Sequence, residues 1–86
     1  MVFHKVEEVT CLSGLRLSVR FYEGITKIYD VEELTTKHDM FAILQNNSEI
    51  FHNVKIGAGG YGVIWGDGLD ISCDELWANG EMIAGE

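Results

Sequence analysis

Eighty-six residues with 47% hydrophobic content and a net charge of −8 make one small domain with a single core. The acid excess repels phosphate backbones, which argues against direct DNA or RNA binding. No apolar run approaches the roughly 18 residues of a membrane helix, and residues 1–8 lack the apolar stretch of a signal peptide, so a cytoplasmic protein without a membrane partner is expected.

Phe3 to Thr10 alternates imperfectly and predicts a first strand, closed by a turn at Ser13-Gly14. Leu15, Leu17, Val19 and Phe21 then alternate with Arg16, Ser18, Arg20 and Tyr22, the period of a half-buried strand. Glu23-Gly24 turns the chain, and Ile25 to Val31 is the hairpin partner. Val31 to Lys37 is a connection with room for one helical turn. Thr36-Lys37-His38-Asp39 resembles a capping signal for a helix over Met40 to Gln45. Phe41 and Leu44 would face the sheet, and the stripe Met40, Phe41, Ile43 and Leu44 reads as core. Asn46-Asn47-Ser48 breaks that helix, and Ser48 to His52 forms a further short turn.

Val54 and Ile56 begin a strand, and Tyr61 to Trp65 is the next. Asp67-Gly68 signals a hairpin turn, with Leu69 and Ile71 in a short strand beyond it. Ser72-Cys73-Asp74-Glu75 is a capping box, in which the Ser72 hydroxyl and the Glu75 carboxylate satisfy backbone amides reciprocally. Leu76, Trp77 and Ala78 follow in a short helix that stops at Gly80. The expected fold is α+β: a small, mainly antiparallel sheet of five to six short strands with two or three short helices. Residues 1–80 form the domain and residues 81–86 a flexible C-terminal tail. A domain this small buries a modest share of its surface, so a homo-oligomer that covers an open sheet is expected.

Gly57, Gly59 and Gly62 spell G-x-G-x-x-G. A dinucleotide fingerprint needs a helix after the glycines, because its N-terminus holds the pyrophosphate. Here the β-branched and aromatic run Tyr61 to Trp65 follows, so the stretch reads as a glycine-rich hairpin connection. Glycines do let backbone amides approach a ligand. Gly59, Gly60, Tyr61 and Trp65 are therefore the candidate lining of a shallow small-molecule site.

Other chemistry is thinly supported. His4, His38 and His52 show no ligand spacing to one another or to a cysteine, so no metal site is expected. Cys11 and Cys73 fit a reduced pair, with a disulfide as the lesser reading. Cys73 sits in a first helical turn, where the dipole lowers a thiol pKa, but Asp74 and Glu75 oppose that. Asp67 suits a turn, and Asp74 and Glu75 suit a helix start. Asp70, between Leu69 and Ile71, should point away from their face and has no structural explanation. An enzyme using Asp70 or Cys73 is the weakest reading, since no base, nucleophile and oxyanion donor come together, and no cofactor is implied. Trp65 and Trp77 are each core or interface anchors, with core favoured for Trp65.

Charge placement is lopsided. All six basic residues lie at or before Lys55, while Asp67, Asp70, Asp74, Glu75, Glu81 and Glu86 follow with no Lys or Arg among them. Such a surface attracts a basic protein, although a solvated acidic face explains it equally well. On this ground Asp70, Asp74 and Glu75, with Trp77 as an aromatic anchor, are the candidate partner-binding residues.

The order of short signatures resembles the bacterial family known as domain of unknown function 2442. It comprises Leu17, Val19, Phe21 and Gly24, then Asp30, Phe41 and Leu44, then Phe51, Val54 and Ile56, and finally Trp65, Asp70, Ile71, Asp74 and Leu76. The resemblance covers about Phe3 to Gly80 and implies an α+β fold with no established activity. Some members carry an added helix-turn-helix domain, which suggests a regulatory role, and none is expected within these 86 residues. Members are often encoded beside a small protein of a second such family, number 4160, in an arrangement like a toxin–antitoxin pair. The resemblance thus implies a non-enzymatic interaction module, the antitoxin-like partner of a basic protein from an adjacent gene. The alternative is a regulatory domain binding a small ligand at the Gly57-Gly62 loop.

Overall fold

The computed structural model describes residues 3–83. The period-two segment lies at the centre of the larger sheet. β1 (Val6–Leu12), β2 (Arg16–Phe21) and β3 (Thr26–Asp30) form an antiparallel meander. Leu17, Val19 and Phe21 are fully buried, and Arg16 and Arg20 on the other face are exposed. β1 starts at Val6 rather than Phe3 and runs on to Leu12. Its alternation is imperfect because its register against β2 shifts between Val6 and Glu8, as a bulge does when it adds a residue to one strand. Leu15 belongs to the turn and not to the strand. Gly14 at φ 74° and Leu15 at φ 57° are successive left-handed residues that make the tight reversal.

The predicted connection after β3 is a full helix, α1 (Glu32–Lys37). A 3₁₀ turn at Asp39–Phe41 leads into α2 (Ala42–Asn46), and α3 (Ser48–His52) follows. No side chain caps the turn at His38, contrary to the sequence signal. Asn47 instead caps α3, its side-chain oxygen accepting from the Ile50 amide at 3.3 Å. Phe41 and Leu44 face inward as expected, but Met40 and Ile43 are 67% and 44% exposed. The apolar stripe is therefore two rows at i and i+3, one buried and one facing solvent.

The remaining strands form a sheet of their own. β4 (Lys55–Ile56), β5 (Gly62–Ile64) and β6 (Asp70–Ser72) pair antiparallel with each other, so the single expected sheet is two, of four and three strands. α4 (Cys73–Asn79) packs against β3, β5 and β6 and so joins the two sheets. Four α-helices and seven strands stand among the described residues, against the two or three helices and five or six strands expected. Part of the predicted tail is also a strand. β7 (Glu81–Met82) pairs with Ile28 and Lys27 and covers part of the edge of β3, whose backbone groups need partners. Residues 84–86 lie outside the described residues.

One core runs through both sheets. Val6, Leu17, Phe21, Phe51, Val63 and Leu76 are among its buried members. Trp65 lies within it, 2% exposed, and its indole N–H donates to the Phe51 carbonyl at 2.9 Å. No helix among the described residues is long and apolar enough to cross a membrane.

Candidate functional site

Tyr29 is the buried aromatic that starts the site. It sits on β3 opposite Leu17 and is 4% exposed. A buried phenol needs a partner for its hydroxyl. Its hydroxyl donates to Glu75 Oε2 on α4 at 2.8 Å, tying the large sheet to that helix. This contact also corrects the capping box. The Ser72 hydroxyl accepts from the Glu75 amide at 3.1 Å as expected, but the Glu75 carboxylate turns to Tyr29.

Around this pair the chain leaves a cleft of about 470 Å³ between α1, α4 and the end of β3. Four carboxylates line it, from Asp30, Glu33, Glu75 and Glu81, against the two cations Arg16 and Lys37. The phenol registers this field. Its pKa is held well above the ordinary tyrosine value, first by burial, then by the hydrogen bond to Glu75 and the charges of Glu75, Glu33 and Asp30. The sign follows directly. Above about pH 10 the unfolded phenol ionises while the folded one keeps its proton, so stability falls as pH rises through that range. Tyr29→Phe is expected to lower stability at neutral pH by about 1.5 kcal/mol, because Glu75 loses its donor. Urea denaturation at pH 7 and pH 10.5 checks both points, since the variant should lose less stability than the wild type between the two.

Of the four predicted partner residues, only Glu75 lines this cleft. Asp74 is exposed on the first turn of α4. Asp70 points to solvent from β6, with Leu69 and Ile71 buried on either side, as its alternation predicts. Trp77 makes its contacts within the chain. The His4 ring stacks on it at 3.5 Å and 4°, Phe21 meets it edge-on at 5.0 Å, and the Lys27 ammonium lies 4.2 Å from its centre. Lys27 also donates to the Trp77 carbonyl at 2.5 Å. His4 in turn pairs with Glu23, whose carboxyl that hydrogen bond holds below its ordinary value. The sequence reading missed Tyr29, Asp30, Glu33 and Glu81. The available signal was an inward-facing tyrosine on a strand, whose hydroxyl must find a polar partner when buried.

The glycine segment is a hairpin connection between β4 and β5, as read from the sequence. Gly57 N–H donates to the Gly62 carbonyl at 2.9 Å and Gly60 N–H to the Gly57 carbonyl at 3.0 Å, so these two amides serve the loop itself. Gly59 and Gly60 take φ of 72° and 80°. Tyr61 is exposed and packs edge-on against Phe3 at 5.3 Å. Trp65, the fourth residue of that candidate set, is in the core and does not face the loop's solvent side.

Burial raises the thiol pKa of Cys11 and of Cys73, with the Asp74 carboxylate adding to the effect at Cys73. The helix-start effect on Cys73 is thus outweighed. Both cysteines are free thiols. Among the described residues no group of three His, Cys, Asp or Glu side chains is placed to hold a metal ion.

The structure defines a small α+β domain of two antiparallel sheets joined by a C-terminal helix, with an acidic cleft beside that helix. Its family follows from sequence comparison. The chain belongs to the family described as Protein of unknown function (DUF2442), whose profile matches residues 6–81. No curated protein and no solved structure matches the chain.

Proposed function

We propose that the chain is a non-enzymatic protein-interaction module, the antitoxin-like partner of a basic protein encoded by an adjacent gene. One observation carries the reading: two stretches far apart in the chain, one with Asp30 and Glu33 and the other with Glu75 and Glu81, converge on one concave surface. A cleft lined by one dominant sign of charge focuses its field and steers an opposite charge into it. Lysine or arginine side chains of a basic partner would enter beside Tyr29. Arg16 and Lys37 in the cleft lining would set orientation by repulsion. Asp74 on the exposed side of α4 would extend the acidic surface.

The test is co-expression with the product of the adjacent gene and pull-down at about 0.05 and 0.5 M salt, which shortens the screening length severalfold. A stoichiometric complex that weakens at high salt is expected. Glu33→Lys with Glu81→Lys should weaken it by roughly a hundredfold, because like charges then face the partner. Both positions are exposed, so the fold should survive. A complex indifferent to salt and to these reversals would remove the cleft from the interface. No complex at all would remove the main support of the antitoxin-like reading. The alternative, a small ligand at the Gly57-Gly62 loop, draws less support, because two of the loop's amides bond internally and Trp65 is buried.

A further inference from the structure

We propose that the outer face of the small sheet β4–β5–β6 docks a second copy of this chain. Cross-strand partners share a face, so the pairings Lys55 with Ile64 and Ile64 with Asp70 set these three side chains in one row. All three are exposed, and Ile64 is 42% exposed in the middle of the row. The opposite face carries Val63 and Ile71 into the core.

The row reads cation, apolar, anion. Two strand spacings, roughly 9–10 Å, separate its ends, with Ile64 between them. Neither Lys55 nor Asp70 belongs to an ion pair among the described residues. A row of this kind is complementary to itself. A two-fold axis along the strand direction, midway between two facing sheets, sets Ile64 against Ile64 of the second copy. The same operation sets Lys55 against Asp70, and Asp70 against Lys55. An isologous interface demands this self-complementarity. An axis along the row would instead oppose like charges, so the pattern also selects the orientation.

Shape agrees with charge. Ile64 borders two hollows, one of about 170 Å³ beside Gly57, Gly62 and Asp70, the other of about 400 Å³ beside Lys55 and Gly66. The face is only three short strands wide, below the roughly 800 Å² per partner of a tight complex, so the dimer is weak and concentration-dependent.

Sedimentation velocity on the purified chain from about 10 µM to 1 mM tests this. The wild type should pass from monomer to dimer across that range. Lys55→Asp and Asp70→Lys should each weaken dimerisation by roughly tenfold or more, since each turns two attractions into two repulsions. The two single variants mixed together should form a heterodimer, and the double variant should dimerise like the wild type. Circular dichroism of each variant verifies the fold. A wild type monomeric at 1 mM overturns the proposal, as does a dimer that both single variants form equally well. The measurement needs no partner protein, so its failure leaves the cleft reading untouched. Conversely, Asp70→Lys should leave partner binding intact while Glu33→Lys with Glu81→Lys should leave the dimer intact.

Discussion

Gly62→Ala is expected to destabilise the domain by about 3 kcal/mol, a large part of the total for a domain of this size. The reason is steric and local. A Cβ built on Gly62 would lie 2.3 Å from the Ile71 carbonyl oxygen and 3.1 Å from the Ser72 Cα. Both are backbone atoms of the neighbouring strand β6, so no rotamer change relieves the clash. The strands must separate, which breaks the pairing of Gly62 with Ser72 and disturbs the start of α4. Tm should drop by roughly 10–20 °C. Gly66→Ala is the control. A Cβ there meets nothing within 4 Å and the backbone is not left-handed, so the change should be neutral or stabilise by about 0.5 kcal/mol. Thermal melts of the two variants decide the matter. If Gly62→Ala melts within a degree or two of the wild type, the glycine is not required by packing. The G-x-G-x-x-G pattern would then need another explanation.

That pattern shows where sequence reasoning worked and where it stopped. The run Tyr61 to Trp65 after the glycines correctly indicated a strand in place of a phosphate-binding helix. Alternation in Leu17, Val19 and Phe21 was enough to place the centre of the large sheet, because one face is buried along its whole length. The division into two sheets was not legible. β4 has two residues and β5 and β6 three each, so no periodicity can develop within them. β7 was hidden for the same reason, since two exposed residues, Glu81 and Met82, carry no apolar pattern. In the cleft, Glu75 was singled out for its charge and its capping position. Asp30, Glu33 and Glu81 were not, because what unites them is the path of the chain around Tyr29 and not any spacing. Trp77 was open between core and interface, and no spacing in the sequence pointed to the rings and charge that meet it, His4 stacked on it and Lys27 beside it.

Trp65→Ala is expected to cost about 4 kcal/mol and to leave the domain largely unfolded at 37 °C. The indole is buried between two other rings of the helical segment. Phe51 lies nearly parallel to it at 6.4 Å and Phe41 edge-on at 6.3 Å. Its removal leaves a cavity that these rings, one on the 3₁₀ turn and one on α3, refill only in part. It also takes the shortest donor from the Phe51 carbonyl, leaving it the Val54 amide at 3.4 Å and the Cys11 thiol at 3.4 Å, a weak donor. Trp65→Phe separates the two losses. It keeps most of the apolar volume and removes the N–H, so about 1–2 kcal/mol should be lost. Urea titrations of both variants give the comparison. A Trp65→Ala variant within about 0.5 kcal/mol of the wild type would place the indole outside the core and return it to the glycine loop as a ligand-facing side chain. A loss of the expected size, graded between Phe and Ala, fixes Trp65 as the post against which Phe41 of the 3₁₀ turn and Phe51 of α3 pack. The solvent side of β5 is then left to Ile64.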